Sequence, residues 1–184
     1  MLLLLRDEDI PTVTSAIIAI ALQHGLEPIT PEEEPQDILS QAAMLLGPRA
    51  VLTPGEDFVV AGGLDSLGIG DAAALGAALS AACGNEVLAI APTGDGIRVI
   101  LFDDGDVDED VHVNLNHSGK TASPQLAEIA LTEEPAEELT NGVSAMNAIE
   151  LAEHVLRLFG ASPSDYVGPS TTLSFRNPDD EDDA

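Results

Sequence analysis

The sequence predicts a single α+β domain with a mixed β-sheet, in which two β-α-β units are followed by a hairpin and the helices pack mainly on one face. Short apolar runs bounded by Gly and Pro predict the strands, and apolar residues at helical spacing between them predict the helices. A chain of 184 residues with a hydrophobic fraction of 45% can build one core. We expect the domain to span residues 1–176 and a disordered acidic tail to occupy residues 177–184.

The first β-α-β unit begins with the apolar run Leu2–Leu5, which has the length of a buried strand. Asp9 is placed to cap the following helix, Pro11 falls in its first turn, and Gly25 ends it. The sequence LEPIT then predicts a short strand. A further helix is predicted over residues 35–48, PQDILSQAAMLLGP, and the sequence RAVLTP that follows predicts a strand.

The second unit repeats the order strand, helix, strand in FVVAG, DAAALGAALSAAC and EVLAIAP. This repetition is compatible with an internal duplication of residues 1–47 and 48–116. The strand IRVILFD comes next, and Asp104-Gly105 between two alternating runs predicts a β-hairpin. Later elements are a short helix in PQLAEIAL, a helix over residues 147–159 and a last strand in TTLSF.

Charge limits the function more than any motif does. The 33 acidic residues against 6 basic ones give a formal net charge of -27, which excludes binding to phosphate backbones and disfavours anionic membrane surfaces. The charge either keeps the protein soluble, for example in a high-salt cytoplasm, or steers a basic protein partner. Both interpretations stay open, as does the oligomeric state, for which a homodimer is one option.

The second hairpin strand, DVDEDVHVNL, alternates apolar and polar residues. The alternation predicts that Asp106, Asp108, Asp110 and His112 share one solvent-exposed face, which is our first candidate for contact with a partner. The same acidic run departs from the EF-hand pattern, because Gly and Glu do not fall at its required positions. We therefore predict a turn here and no metal site.

Two glycine-rich stretches resemble nucleotide-binding loops and do not fit them. NLNHSGKTA has Asn114 where a Walker A loop needs its first glycine, and Pro124 interrupts the helix that should follow. GIGDAA satisfies GxGxxA, but the preceding strand ends too early for a dinucleotide fold. We expect no cofactor.

The sequence FVVAGGLDSLG resembles the attachment site of acyl and peptidyl carrier proteins, in which a Gly-x-Asp-Ser-Leu heads a helix. Gly63, Asp65, Ser66 and Leu67 match that motif, and the resemblance covers roughly residues 38–84. It implies that Ser66 carries 4'-phosphopantetheine. The alternative interpretation is a glycine-rich strand-to-helix loop, in which Asp65 or Ser66 helps to cap.

A second resemblance is to small uncharacterised bacterial α/β proteins, some of the immunity-protein kind. ALSAACGNEVLAIAPTGDGIRVILFDDG and AIELAEHVLRLFG carry it, over about half of the chain. It implies an interaction role in a bacterial protein.

Catalysis has little support in the sequence, because the four histidines are scattered and no Cys/His spacing fits a metal site. The single cysteine, Cys83, predicts a reducing cytoplasm. We therefore expect a non-enzymatic, cytoplasmic interaction module, such as an immunity-like inhibitor of a basic protein. The alternatives are a carrier-like protein modified at Ser66 and a small-molecule-sensing domain.

Overall fold

The computed structural model describes residues 1–30, 44, 46–114, 148–159, 161 and 166–178. Within these ranges one eight-stranded sheet is accompanied by three α-helices, which confirms the predicted α+β class. The strands are β1 (Leu2–Arg6), β2 (Glu27–Pro28), β3 (Arg49–Pro54), β4 (Phe58–Gly62), β5 (Val87–Pro92), β6 (Gly96–Asp103), β7 (Asp106–Asn114) and β8 (Thr171–Arg176). The helices are α1 (Ile10–Gln23), α2 (Ala72–Cys83) and α3 (Ala148–Leu158).

The strand order across the sheet is β2-β8-β3-β4-β1-β5-β6-β7, and every described neighbouring pair is antiparallel. The prediction of a mixed sheet is therefore wrong. The order strand, helix, strand does occur twice, in β1-α1-β2 and β4-α2-β5, and the two strands of each unit run in the same direction. The two strands of a unit are not neighbours in the sheet. β1 lies between β4 and β5, and three strands lie between β1 and β2. A helix that crosses over the sheet between two strands lets those strands run in the same direction. The sequence pattern does not show which other strand lies between them.

The sheet is covered by helices on both faces, with two of the three described helices on one of them. α1 and α2 pack on the face that presents Leu3 and Leu5, whereas α3 packs on the face that presents Leu4. Burial of β1 on both faces explains why its sequence is continuously apolar instead of alternating. β1 is thus the central strand of a three-layer core.

The helix ends follow the predicted signals. Asp9 accepts a hydrogen bond from the Thr12 amide at 2.8 Å and caps α1. Asp71 accepts from the amides of Ala73 and Ala74 and caps α2, which ends at Gly84 with a φ of 70°. Both predicted helices are therefore present, with the predicted cap at Asp9 and a further cap at Asp71 that was not predicted.

Several predicted segments lie mostly or wholly outside the described residues. The helix predicted over 35–48 is described only at residues 44 and 46–48, and the short helix in PQLAEIAL is not described. Of the predicted tail 177–184, residues 177 and 178 are described. None of the described helices combines the length and the apolar character that crossing a membrane requires.

Candidate functional site

The predicted hairpin is confirmed at the junction of β6 and β7. Asp104 and Gly105 both have positive φ values, of 48° and 87°, as a two-residue type I′ turn requires. A Cβ added at Gly105 would lie 2.8 Å from the Ala81 Cβ of α2, so the turn also packs closely on that helix. Glycine is needed here both for its backbone conformation and for its lack of a side chain.

A buried serine that the sequence analysis missed fixes this hairpin to α2. The Ser80 side chain is fully buried; its hydroxyl donates to the Asn85 carbonyl at 2.9 Å and accepts from the Gly105 amide at 3.1 Å. Ser80 lies on the same helical stripe as Ala72, Leu75, Gly76 and Leu79, which are all buried. One polar residue on an otherwise apolar stripe was the signal available in the sequence.

The predicted acidic face of β7 does not exist as a single surface, because the strand contains a β-bulge. Leu101 pairs with Glu109 and Phe102 pairs with Val107, which leaves Asp108 as the extra residue. A bulge of one residue reverses the alternation of side chains along a strand. Asp110 therefore shares the α1/α2 face with Ile100, and Asp106 lies on the α3 face.

Two of the predicted contact residues have local partners. Arg98 donates two hydrogen bonds to the Asp110 carboxylate, at 2.9 and 2.6 Å, which hold the pKa of Asp110 below its usual value. The Nε2 atom of His112 lies 3.0 Å from the Thr93 hydroxyl and 3.2 Å from the Asp95 carboxylate. The Asp110 carboxylate and the His112 ring therefore already have partners on neighbouring parts of the sheet.

A larger acidic surface lies at one end of the sheet, which the sequence analysis did not predict. Since neighbouring strands are antiparallel, the end of β1, the starts of β4, β5 and β7 and the end of β6 all meet there. We call the carboxylates at this location the acidic end: Asp7, Glu8, Asp9, Glu56, Asp57, Glu86, Asp103, Asp104, Asp106 and Asp108.

Basic residues of the strands are distributed in the opposite way. Arg49 starts β3, Arg98 lies near the start of β6, and Arg176 ends β8, so all three belong to the other end of the sheet. Arg6 belongs to the acidic end, where its guanidinium donates to the Phe159 carbonyl at 3.1 Å. Among the arginines of the described strands, one therefore lies at the acidic end and three lie at the opposite end.

Glu86 shows how closely the carboxylates are crowded. Partial burial raises the pKa of Glu86, and the negative charges of Asp103, Asp108 and Asp7 raise it further, against the opposing effect of Arg6. In the described part of the chain, no group of three or more His, Cys, Asp or Glu side chains is arranged to hold a metal ion. The acidic end therefore presents a broad negative potential and lacks a coordination site in these residues.

Ser66, the candidate attachment site, lies in a short 3-10 helix of Leu64–Leu67 between β4 and α2. Its hydroxyl accepts from the Arg49 amide at 2.9 Å and lies 2.7 Å from the Gly63 carbonyl and 3.0 Å from the Arg49 carbonyl. These bonds tie the turn to the start of β3. A modified Ser66 would lose the hydroxyl proton that it donates here, so the geometry favours a structural role.

Cys83 is poorly suited to nucleophilic catalysis. Burial and the nearby charge of Glu8 raise the pKa of the Cys83 thiol to about 11. Because the thiolate is the reactive form, little of it is present at neutral pH.

A scan of family models found no match to this chain, and searches of curated proteins and of solved structures found none either. The two resemblances noted in the sequence therefore stay predictions.

Proposed function

We propose that this chain is a non-enzymatic interaction module whose acidic end docks onto a basic protein partner, with an immunity-like inhibitor as the concrete version. The observation that carries the proposal is the convergence of ten carboxylates at the acidic end, where the ends of five antiparallel strands meet. Like charges held together raise the free energy of the unbound protein, and cations from a partner would lower it. Such a surface also accelerates association with a basic protein.

The position of β7 supports this proposal. Among the described strands, β7 has β6 as its one neighbour, so its acidic side chains lie at an edge of the sheet. Asp106 and Asp108 are exposed and belong to the acidic end, so they remain in the proposed contact surface. Asp110 and His112 leave it, because Arg98 and the Thr93–Asp95 segment already contact them.

We also propose a cytoplasmic location for the module. The sequence has a single cysteine, which cannot form an internal disulfide, and this fits a reducing compartment.

The first experiment is affinity capture of the tagged protein from its native lysate at low and at high salt. A stoichiometric basic protein that is retained at low salt and lost at high salt supports the proposal. The absence of a stoichiometric partner at either salt concentration would contradict it and would favour charge as a means of solubility.

The second experiment locates the contact with two triple variants of equal charge. The test variant carries Asp103→Asn, Asp106→Asn and Asp108→Asn; the control carries Glu27→Gln, Asp95→Asn and Asp110→Asn. Each control carboxylate already has a cationic or histidine partner, at 2.6 to 3.3 Å. At low salt we expect the test variant to bind the captured protein about ten-fold more slowly and the control to change the rate far less. Equal effects would remove the acidic end as the contact surface.

A further inference from the structure

A cavity of about 330 Å³ opens between the sheet and α3, on the face opposite α1 and α2. Its floor comes from the aliphatic side chains of Leu2, Val51 and Val60, and Leu156 contributes from α3. Glu153 and Tyr166 are among the few polar side chains that reach it. A volume of this size lies at the lower end of the range for small-molecule sites.

Gly62, which has no side chain, lines the floor of the cavity. Gly62 pairs with Leu2 on one side and with Val51 on the other, so it leaves a hollow between two aliphatic side chains. A Cβ added at Gly62 would lie 3.2 Å from the Leu2 Cδ2 atom and would point into this hollow. The floor is formed by paired strands, and a site built on strands is more precisely positioned than a site on loops.

The charges at the cavity favour a cationic ligand over an anionic one. Glu153 projects from an exposed position on α3 at the cavity, within a chain of net charge -27. The Tyr166 ring is held edge-on against Phe58, with ring centroids 6.1 Å apart, and adds an aromatic surface to the wall. A carboxylate beside an aliphatic floor complements a molecule that has an apolar body and one cationic group, and the overall field disfavours anions.

We propose that this cavity binds a small cationic amphiphile, a protonated amine on an aliphatic or aromatic body of about six carbons. The Glu153 carboxylate pairs with the ammonium group, and the body covers Leu2, Val51 and Val60. This site is independent of the acidic end, so either proposal can fail without the other.

The test uses three probes with the same chain and different head groups: hexylammonium, 1-hexanol and hexanoate. Each is titrated into the full-length protein at constant ionic strength, and binding is followed by methyl NMR of Leu2, Val51, Val60 and Leu156. We expect saturable shifts at these methyls and the order hexylammonium, hexanol, hexanoate in affinity. Shortening the amine to butylammonium removes two methylenes and should weaken binding about sixteen-fold, at about four-fold for each methylene.

Three variants test which side chains at the cavity contact the ligand. Glu153→Gln should weaken hexylammonium about five-fold, as expected for one exposed ion pair, and leave hexanol unchanged. Glu150→Gln removes the same charge one turn earlier on α3, at a residue that does not line the cavity, and should have a much smaller effect. Val51→Phe should fill the cavity and weaken both probes, with thermal unfolding used to check that this variant is folded.

Three results would overturn the proposal. The first is the absence of saturable shifts at the four methyls, and the second is an affinity for hexanoate that equals or exceeds that for hexylammonium. The third is an equal response to Glu153→Gln and Glu150→Gln, which would show attraction to net charge without a site.

Discussion

Replacement of Ser80 by alanine tests whether one buried hydroxyl holds the hairpin on α2. The variant loses a hydrogen bond to the Asn85 carbonyl and another from the Gly105 amide, and the Ser80 side chain has an exposed fraction of 0%. At about 0.5–1.5 kcal/mol for each bond, the two contribute roughly 1–3 kcal/mol. Alanine returns about 0.5 kcal/mol through its higher helix propensity. We therefore expect a net loss of roughly 0.5–2.5 kcal/mol in the free energy of unfolding.

The assay is thermal and denaturant unfolding beside a matched control, Ser15→Ala in α1. Ser15 is exposed and donates its hydroxyl within the same helix, to the Pro11 carbonyl at 2.8 Å. The control removes the same atom from a helix, but no contact between elements is lost. For a chain of this size, Ser80→Ala should lower Tm by roughly 1–10 °C, at about 2–4 °C for each kcal/mol, and Ser15→Ala should change it less.

Amide hydrogen exchange adds a readout that does not depend on global stability. The Gly105 amide should lose protection in Ser80→Ala before the amides in the middle of β6 do, because its acceptor is the deleted hydroxyl. Equal Tm values for the two variants, or an unchanged exchange rate at Gly105, would refute the argument that Ser80 anchors the hairpin.

Three further predictions concern the same end of the molecule. Glu86→Gln should raise the free energy of unfolding at pH 7, measured by urea titration. The pKa of Glu86 is raised on folding, so its charge destabilises the fold fully above that raised pKa and has no effect below the usual pKa of a glutamate. The gain in the free energy of unfolding should therefore vanish at acidic pH. Gly105→Ala should lower the free energy of unfolding more than Gly84→Ala does, measured by denaturant unfolding. Both glycines have a positive φ, which costs alanine about 1–2 kcal/mol. Only at Gly105 does the added Cβ also meet Ala81. Alkylation of Cys83 at pH 8 should be roughly a hundred times slower than that of an ordinary thiol, because its pKa rises from 9.0 to about 11, and Glu8→Gln should accelerate it.

The local elements were predictable because their signals are local. The caps at Asp9 and Asp71, the glycine after α2 and the Asp104-Gly105 turn each depend on residues within a few positions of one another. The sheet order was not predictable, since the insertion of β1 between β4 and β5 depends on packing of distant segments. The predicted acidic face failed for a similar reason. A bulge at Asp108 leaves no mark on an alternating sequence, and it reversed the face of every residue before it.

Composition gives the net charge of the chain but does not predict where its carboxylates meet. A net charge of -27 suggested either solubility or a partner, and the residues involved are scattered from Asp7 to Asp108 along the chain. Only the antiparallel order brings the ends of five strands together and places their flanking carboxylates at one location. The corresponding arginines were visible in the sequence, but their shared location at the other end was not.

The central position of β1 has a consequence for how the chain folds. Leu4 pairs with Val60 on one side and with Leu88 on the other, so the strand that organises the core depends on contacts between distant parts of the chain. High contact order slows folding. At ordinary synthesis rates, roughly 5 to 15 seconds pass between translation of Leu4 and of Leu88. During that interval an apolar strand lacks one partner, and mutual repulsion between strongly anionic nascent chains would keep such intermediates from aggregating.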